Sequence, residues 1–290
     1  MQAGACYHAS MMQTPTLLLA GAGDLGMRTA RLFLEKGGQV IGLRRNPPAG
    51  HHEIRWLAAD LTQTDSLDRL PDGISHVLYA PAPGERSEQA YSALFLHGLQ
   101  NLIAALPRPP LRLVFVSSSA VYGPGDTAAD ENTVPQPTHF NGRILLQAEQ
   151  LLYQMLPTQA VVLRLSGIYG PGRAALLDRI RQGQAKVPAQ GTHWANRIHI
   201  EDAARACLHL LASPDPAPCY IGTDDHPYPI DMLYDGLAEL IGAPRPARSA
   251  ISPPSSGRRL DNKRLRESGF SFLWPDSLQG YARLTESEAP

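Results

Sequence analysis

The chain has 290 residues, 43% apolar and 18% charged, with a formal net charge of −1. That balance gives no electrostatic case for nucleic acid or a membrane surface, and no apolar run approaches the roughly 18 residues that cross a bilayer. Three widely spaced cysteines, Cys6, Cys207 and Cys219, form no Cys-x-x-Cys pair, which argues against a zinc site and suits a reducing cytoplasm.

Residues 1–15 lack the charged-then-apolar order of a signal peptide and read as a disordered leader, with Met11 and Met12 as alternative starts. Leu17–Leu19 then reads as a strand running into Gly21-Ala22-Gly23-Asp24-Leu25-Gly26, with a helix expected over Met27–Lys36 and a stop at Gly37-Gly38. A Gly-x-Gly-x-x-Gly turn between strand and helix lets the backbone approach a dinucleotide's pyrophosphate, which the helix N-terminus attracts. Gly21, Gly23, Asp24, Leu25 and Gly26 are therefore cofactor-binding candidates.

The next strand, Gln39–Leu43, ends in Arg44-Arg45. Arg44 lies 23 residues past Gly21, near the position where NAD-binding chains carry an acidic residue for the ribose 2′-hydroxyl. Guanidinium groups there suit a 2′-phosphate, so Arg44 and Arg45 favour NADP over NAD. The plainer account of the pair is a solvated strand end.

Glu53–Ala58 and His76–Ala80 follow as strands, the first running into Asp60-Leu61 and the second into Pro81. A helix is expected over about Ser87–Leu106, a strand over Leu111–Val116, a helix around Asn141–Leu156 and a strand over Ala160–Leu165. This alternation predicts an α/β fold, a Rossmann-type doubly wound parallel sheet with ligands at the carboxyl ends of its strands. The Pro/Ser/Arg-rich stretch 243–259 reads as a surface loop, with Arg245, Arg248, Arg258 and Arg259 solvated.

Several segments together carry a resemblance. Val116-Ser117-Ser118-Ser119-Ala120-Val121-Tyr122-Gly123, Leu163–Gly172, Arg197–Ala203 and Arg258–Asn262 with Gly269-Phe270 stand in the order seen in the extended short-chain dehydrogenase/reductases. The chain resembles that group, the NAD-dependent epimerase/dehydratase family, over about residues 16–285. The resemblance implies a Rossmann domain of residues 16–165 joined by about 197–222. About 166–196 and 223–290 would form a small C-terminal substrate lobe. It implies that Asp60 holds the adenine amino group and that Ser166, Gly167 and Ile168 lie near the nicotinamide; Leu61 and Ala80, at strand ends, count with the cofactor site. A nucleotide sugar or related metabolite is the implied substrate, and a homodimer the expected assembly.

The resemblance breaks at one place. The family's Tyr-x-x-x-Lys pair, in which the lysine lowers the tyrosine pKa for proton transfer, falls on Asn141 and Leu145. The chain holds three lysines, Lys36, Lys186 and Lys263, none on this helix. Ser118 matches the family's catalytic hydroxyl. His139 titrates near neutral pH, and Asn141 could orient a carbonyl or water; these three are the catalytic candidates, although Asn141 also suits a helix cap. Tyr122 is expected to pack beneath the site, and Arg173 and Arg197 could clamp an anionic substrate. His199, Glu201 and Asp202 fit a strand-to-helix junction better than a metal site. The expected protein is an atypical NADP-binding oxidoreductase or epimerase-like enzyme; the alternative is a catalytically silent NADP-binding sensor.

Overall fold

In the computed structural model, which describes residues 14–125, 128–173, 175–249 and 257–287, the apolar run after Pro15 is the middle of a sheet. Strand β1 (Thr16–Ala20) pairs in parallel with β2 (Gln39–Arg44) on one side and β4 (His76–Tyr79) on the other, with β3 (Ile54–Ala58) outside β2. Beyond β4 come β5 (Arg112–Ser118) and β6 (Ala160–Leu165). Four short strands, β7 (Gly167–Tyr169), β8 (Lys186–Pro188), β9 (Trp194–Ala195) and β10 (Arg197–His199), lie outside this sheet, and β11 (Cys219–Gly222) completes it beside β6. The order β11-β6-β5-β4-β1-β2-β3 is parallel throughout.

Alternation along the strands divides the core. Leu18 and Ala20 face one layer, with α2 (Glu88–Ser92), α3 (Leu99–Ala105) and α4 (Phe140–Met155); Leu17 and Leu19 face the other, with α1 (Asp24–Glu35) and α6 (Ile200–Ala212). Strands covered on both faces are largely apolar, and all six residues of β6 are buried, Arg164 being the charged one among them. The chain leaves β1 in one direction toward β2 and β3 and returns to β4 on the other side. A crevice therefore opens between the carboxyl ends of β1 and β4.

Element boundaries depart from the sequence reading in three places. Helix α1 starts at Asp24 rather than Met27, because the glycine turn passes straight into its first turn. The helix expected over 87–106 runs from Glu88 to Ala105 but contains a π segment, Ala93–Gly98. There the Tyr79 hydroxyl donates to the Leu94 carbonyl at 2.6 Å, taking an acceptor from the ladder. The 243–259 stretch is not all loop: a strand over Ala247–Ser249 pairs in parallel with β8, and Arg248, whose side chain is exposed, is also bonded to Asp235 at 2.8 Å. Residues 250–256 and the leader up to residue 13 lie outside the described residues.

A third apolar cluster draws on Tyr169, α5 (Ala175–Arg181), β8, α7 (Ile230–Leu240) and α9 (Ser277–Ser287). It follows directly on the carboxyl end of β6.

Candidate cofactor cleft and catalytic end

The three glycines of the turn answer to different constraints. Gly21 has φ +117°, and a Cβ on it would collide with the Ala80 and Pro81 backbone; a Cβ on Gly26 would collide with the Gly21 carbonyl. Both are required by packing. Gly23 has ordinary backbone angles, φ −78° and ψ −171°, and nothing within 4 Å of a Cβ built on it. Packing does not require this glycine, and the space in front of its Cα is open. No side chain caps α1 here, so its first N–H groups are left for an anion. Leu25 turns its side chain into the core, leaving only its backbone for such a role.

Gly21 and Gly23 line a cleft of about 630 Å³ at the β1/β4 crevice. Arg44, Arg45, Asp60 and Leu61 line it too, so the strand-end candidates before β4 converge. Arg44 and Arg45 are exposed, their side chains with no hydrogen bond or ion pair among the described residues. Asp60 is half-buried and oriented: its Oδ1 accepts from the Thr62 amide at 2.9 Å and hydroxyl at 2.8 Å. The Ser66 hydroxyl, bonded to the Asp60 amide and carbonyl, steadies the same turn. Sequence reasoning missed the opposite wall, Pro81–Gly84 with Ala90, Ala93 and Leu94. Small apolar side chains there give no chemical signal, and the π segment that positions two of them depends on a tertiary contact from Tyr79.

Asp24, Leu25, Gly26 and Ala80 border the turn without lining the cleft. Ser166, Gly167 and Ile168 lie at the end of β6 and in β7, outside it as well. Ser166 Oγ is buried without a hydrogen-bond partner, and Gly167 is exposed against the Arg197 guanidinium.

Around β5 and α4 the polar groups are mostly engaged by the protein itself. Ser118, half-buried, accepts from the Ala120 amide at 3.2 Å and caps a short turn, Ser119–Val121. Gly142 brings the start of α4 against that turn, where a Cβ would strike the Ala120 carbonyl. The cap of α4 is His139, whose ring is exposed and makes no capping bond. Asn141 is not the cap; it is the second residue of the helix, and its Oδ1 is buried with no hydrogen-bond partner. Leu145, one turn on, is packed in the core and 4% exposed.

Behind them runs a buried ionic network. Glu149 takes three hydrogen bonds from Arg164, the shortest 2.6 Å, and one from the Ser117 hydroxyl at 2.6 Å. Arg164 also donates to the Tyr122 hydroxyl, which donates to the Asp130 carbonyl. Burial raises the Tyr122 pKa above its ordinary value, and does the same for Tyr153, the one tyrosine on α4. Neither suits proton transfer near neutrality.

The Arg197–Ala203 segment is structural in its contacts. His199 Nδ1 accepts from the Glu201 amide at 3.3 Å, and burial lowers the imidazole pKa. Asp202 accepts from the amides of Leu273 and Trp274, tying the C-terminal segment to α6. Nearby Asp224 is buried with both carboxylate oxygens unpartnered, and its pKa is pushed up to about 7, chiefly by burial. No helix among the described residues is long and apolar enough to cross a membrane.

Comparison with known proteins agrees with this arrangement. Protein YeeZ of Escherichia coli K12 is 30% identical over 272 residues, covering 90% of this chain and 96% of its own length. A solved structure from Methylobacillus flagellatus, assigned to the NAD-dependent epimerases/dehydratases, superimposes with TM-score 0.79 at 33% identity, over 94% of this chain and 98% of that one. MoeE5, solved with UDP-glucose and NAD, shares the fold with TM-score 0.74 at 23% identity, over 94% of this chain and 99% of its own. The model of the NAD dependent epimerase/dehydratase family matches residues 17–221, from β1 into β11. The sheet order, the glycine turn at its switch point and this match make the chain a member of the NAD-dependent epimerase/dehydratase family.

Proposed function

We propose that the protein binds NADP at the glycine turn and acts as an oxidoreductase or epimerase-like enzyme on a nucleotide sugar or related metabolite. The observation that carries this reading is the pair Arg44 and Arg45, unpartnered among the described residues, on the same cleft as Gly23 and Asp60. A 2′-phosphate offers two guanidinium groups the charge-assisted bonds they lack, while Asp60, held by Thr62, accepts from the adenine amino group. Membership of the family and the UDP-glucose carried by MoeE5 support a nucleotide sugar as substrate class.

The nicotinamide, when bound, supplies hydride chemistry; the proton and the orientation come from this chain. Ser118 Oγ already accepts from Ala120, so its proton is left to donate to a substrate oxygen. Asn141 Oδ1 is an unused acceptor on the adjoining helix. With a core leucine at 145, no lysine cation assists from α4, and His139, at the cap of that helix, is the side chain assigned the proton.

Turnover of a nucleotide-sugar panel tests the assignment. His139→Ala should lower it about 100-fold. Ser118→Ala should lower turnover with NADPH affinity unchanged. Turnover indifferent to both changes contradicts these roles. Tight NADPH binding with no turnover on any member of the panel favours a cofactor-binding sensor instead.

A further inference from the structure

Asp24 sets an electrostatic problem for a phosphate site. It is the first residue of α1, immediately after Gly23, so its carboxylate stands beside the N–H groups a pyrophosphate would use. Uncompensated, it would repel the ligand. Two arginines compensate it. Arg28 Nε lies 2.7 Å from Asp24 Oδ1, along the helix, and its side chain lines a shallow groove with Glu201 and Leu273 on the α6 side. Arg173 Nε lies 3.4 Å from Asp24 Oδ2 and reaches it from a different part of the chain, 149 residues away.

Arg173 is held in place from behind. It ends the turn Gly170-Pro171-Gly172-Arg173, closed by the Arg173 amide on the Gly170 carbonyl at 3.0 Å. Gly170 (φ +134°) packs so closely on His199 and Ile200 that a Cβ would collide with Ile200. The turn is thus fixed on the start of α6 while its arginine extends to the glycine loop. Asp24 engages only Nε; the two terminal nitrogens of Arg173 have no partner among the described residues. An exposed pair of this kind adds little stability, so its geometry calls for another account.

We propose that Arg173 is a pyrophosphate-binding residue: Asp24 orients the guanidinium through Nε, and the terminal nitrogens close on the dinucleotide's pyrophosphate at Gly23. The inference rests on the cofactor reading above and deepens it. It makes the cofactor the link between the loop after β7 and the glycine turn, so that the dinucleotide helps to fix the segment next to the proposed nicotinamide residues, Ser166–Ile168.

Calorimetric titration of the full chain with NADPH and with adenosine 2′-monophosphate tests it. Adenosine 2′-monophosphate carries the adenine and 2′-phosphate but no pyrophosphate. Arg173→Ala should weaken NADPH about tenfold or more and leave adenosine 2′-monophosphate within about twofold, with Arg173→Lys between the two proteins. Arg28→Ala, which removes the same charge from the same carboxylate, should leave NADPH within about twofold. Unchanged NADPH affinity in Arg173→Ala overturns the proposal, as does equal weakening of both ligands or an equal loss in Arg28→Ala. An unmutated protein that binds neither NADPH nor NADH refutes the cofactor reading, and the inference with it; normal binding retained in Arg173→Ala refutes the inference alone.

Discussion

The two sides of the sheet's carboxyl edge use their polar residues in opposite ways. Around β1 and β2, the glycine turn and the strand-end arginines face outward: a Cβ on Gly23 would meet nothing within 4 Å, and the Arg44 and Arg45 side chains have no hydrogen bond or ion pair among the described residues. Around β5, β6 and α4, polar groups are turned inward: Ser117, Glu149, Arg164 and Tyr122 satisfy one another, Ser118 caps a turn, and Leu145 packs in the core. The first region leaves its side chains free for the proposed ligand. The second engages most of its own, with Asn141 Oδ1 and Ser166 Oγ among the buried exceptions.

If that contrast is right, breaking the inward network should cost the most stability. Glu149→Ala leaves Arg164 buried without its carboxylate, and a loss of about 3–5 kcal/mol is expected in urea unfolding. A loss below about 1 kcal/mol would mean that the network is not what holds α4 to β5 and β6.

The matching change on the ligand side should do the reverse. Gly23→Val should weaken NADPH binding by about 100-fold or more with little change in melting temperature, because a Cβ there has no protein atom within 4 Å while the side chain takes the place of the pyrophosphate. A folded variant that binds normally would remove the ligand from this turn.

A smaller effect separates the catalytic edge from the segment beyond it. Asp224 titrates near 7 in the folded chain against an ordinary value of 3.8. The folded state therefore holds more protons than the unfolded state between those values, so stability falls as pH rises from about 4 to 7 and stays low above it. Asp224→Asn should flatten that slope in melting temperatures measured from pH 5 to 8. A slope identical to that of the unmutated protein would show that Asp224 is not its source.

How much of this was legible in the sequence follows from the kind of signal each part leaves. The sheet was readable because buried parallel strands are apolar runs such as Leu17–Leu19 and Ala160–Leu165, punctuated by glycine and proline. The cleft was half readable. Glycines and arginines announce themselves, whereas Ala93 and Leu94 reach it through a π segment that Tyr79 supports from β4. The Asp24–Arg173 pair could not be read, because it joins residues 149 apart and depends on how the Gly170–Arg173 turn is seated on α6. A cap at Asn141 would start α4 at Gly142, but the helix begins two residues earlier, at Phe140, and His139 takes the cap position.

The central claim, that an NADP 2′-phosphate belongs on Arg44 and Arg45, is tested most directly by calorimetric titration of the unmutated protein and Arg44→Asp with NADPH and NADH. The account predicts NADPH at least several-fold tighter than NADH in the unmutated protein, with the order reversed in Arg44→Asp, where a carboxylate repels the 2′-phosphate and accepts from a free 2′-hydroxyl. Equal affinities, or tighter NADH binding before mutation, would contradict it.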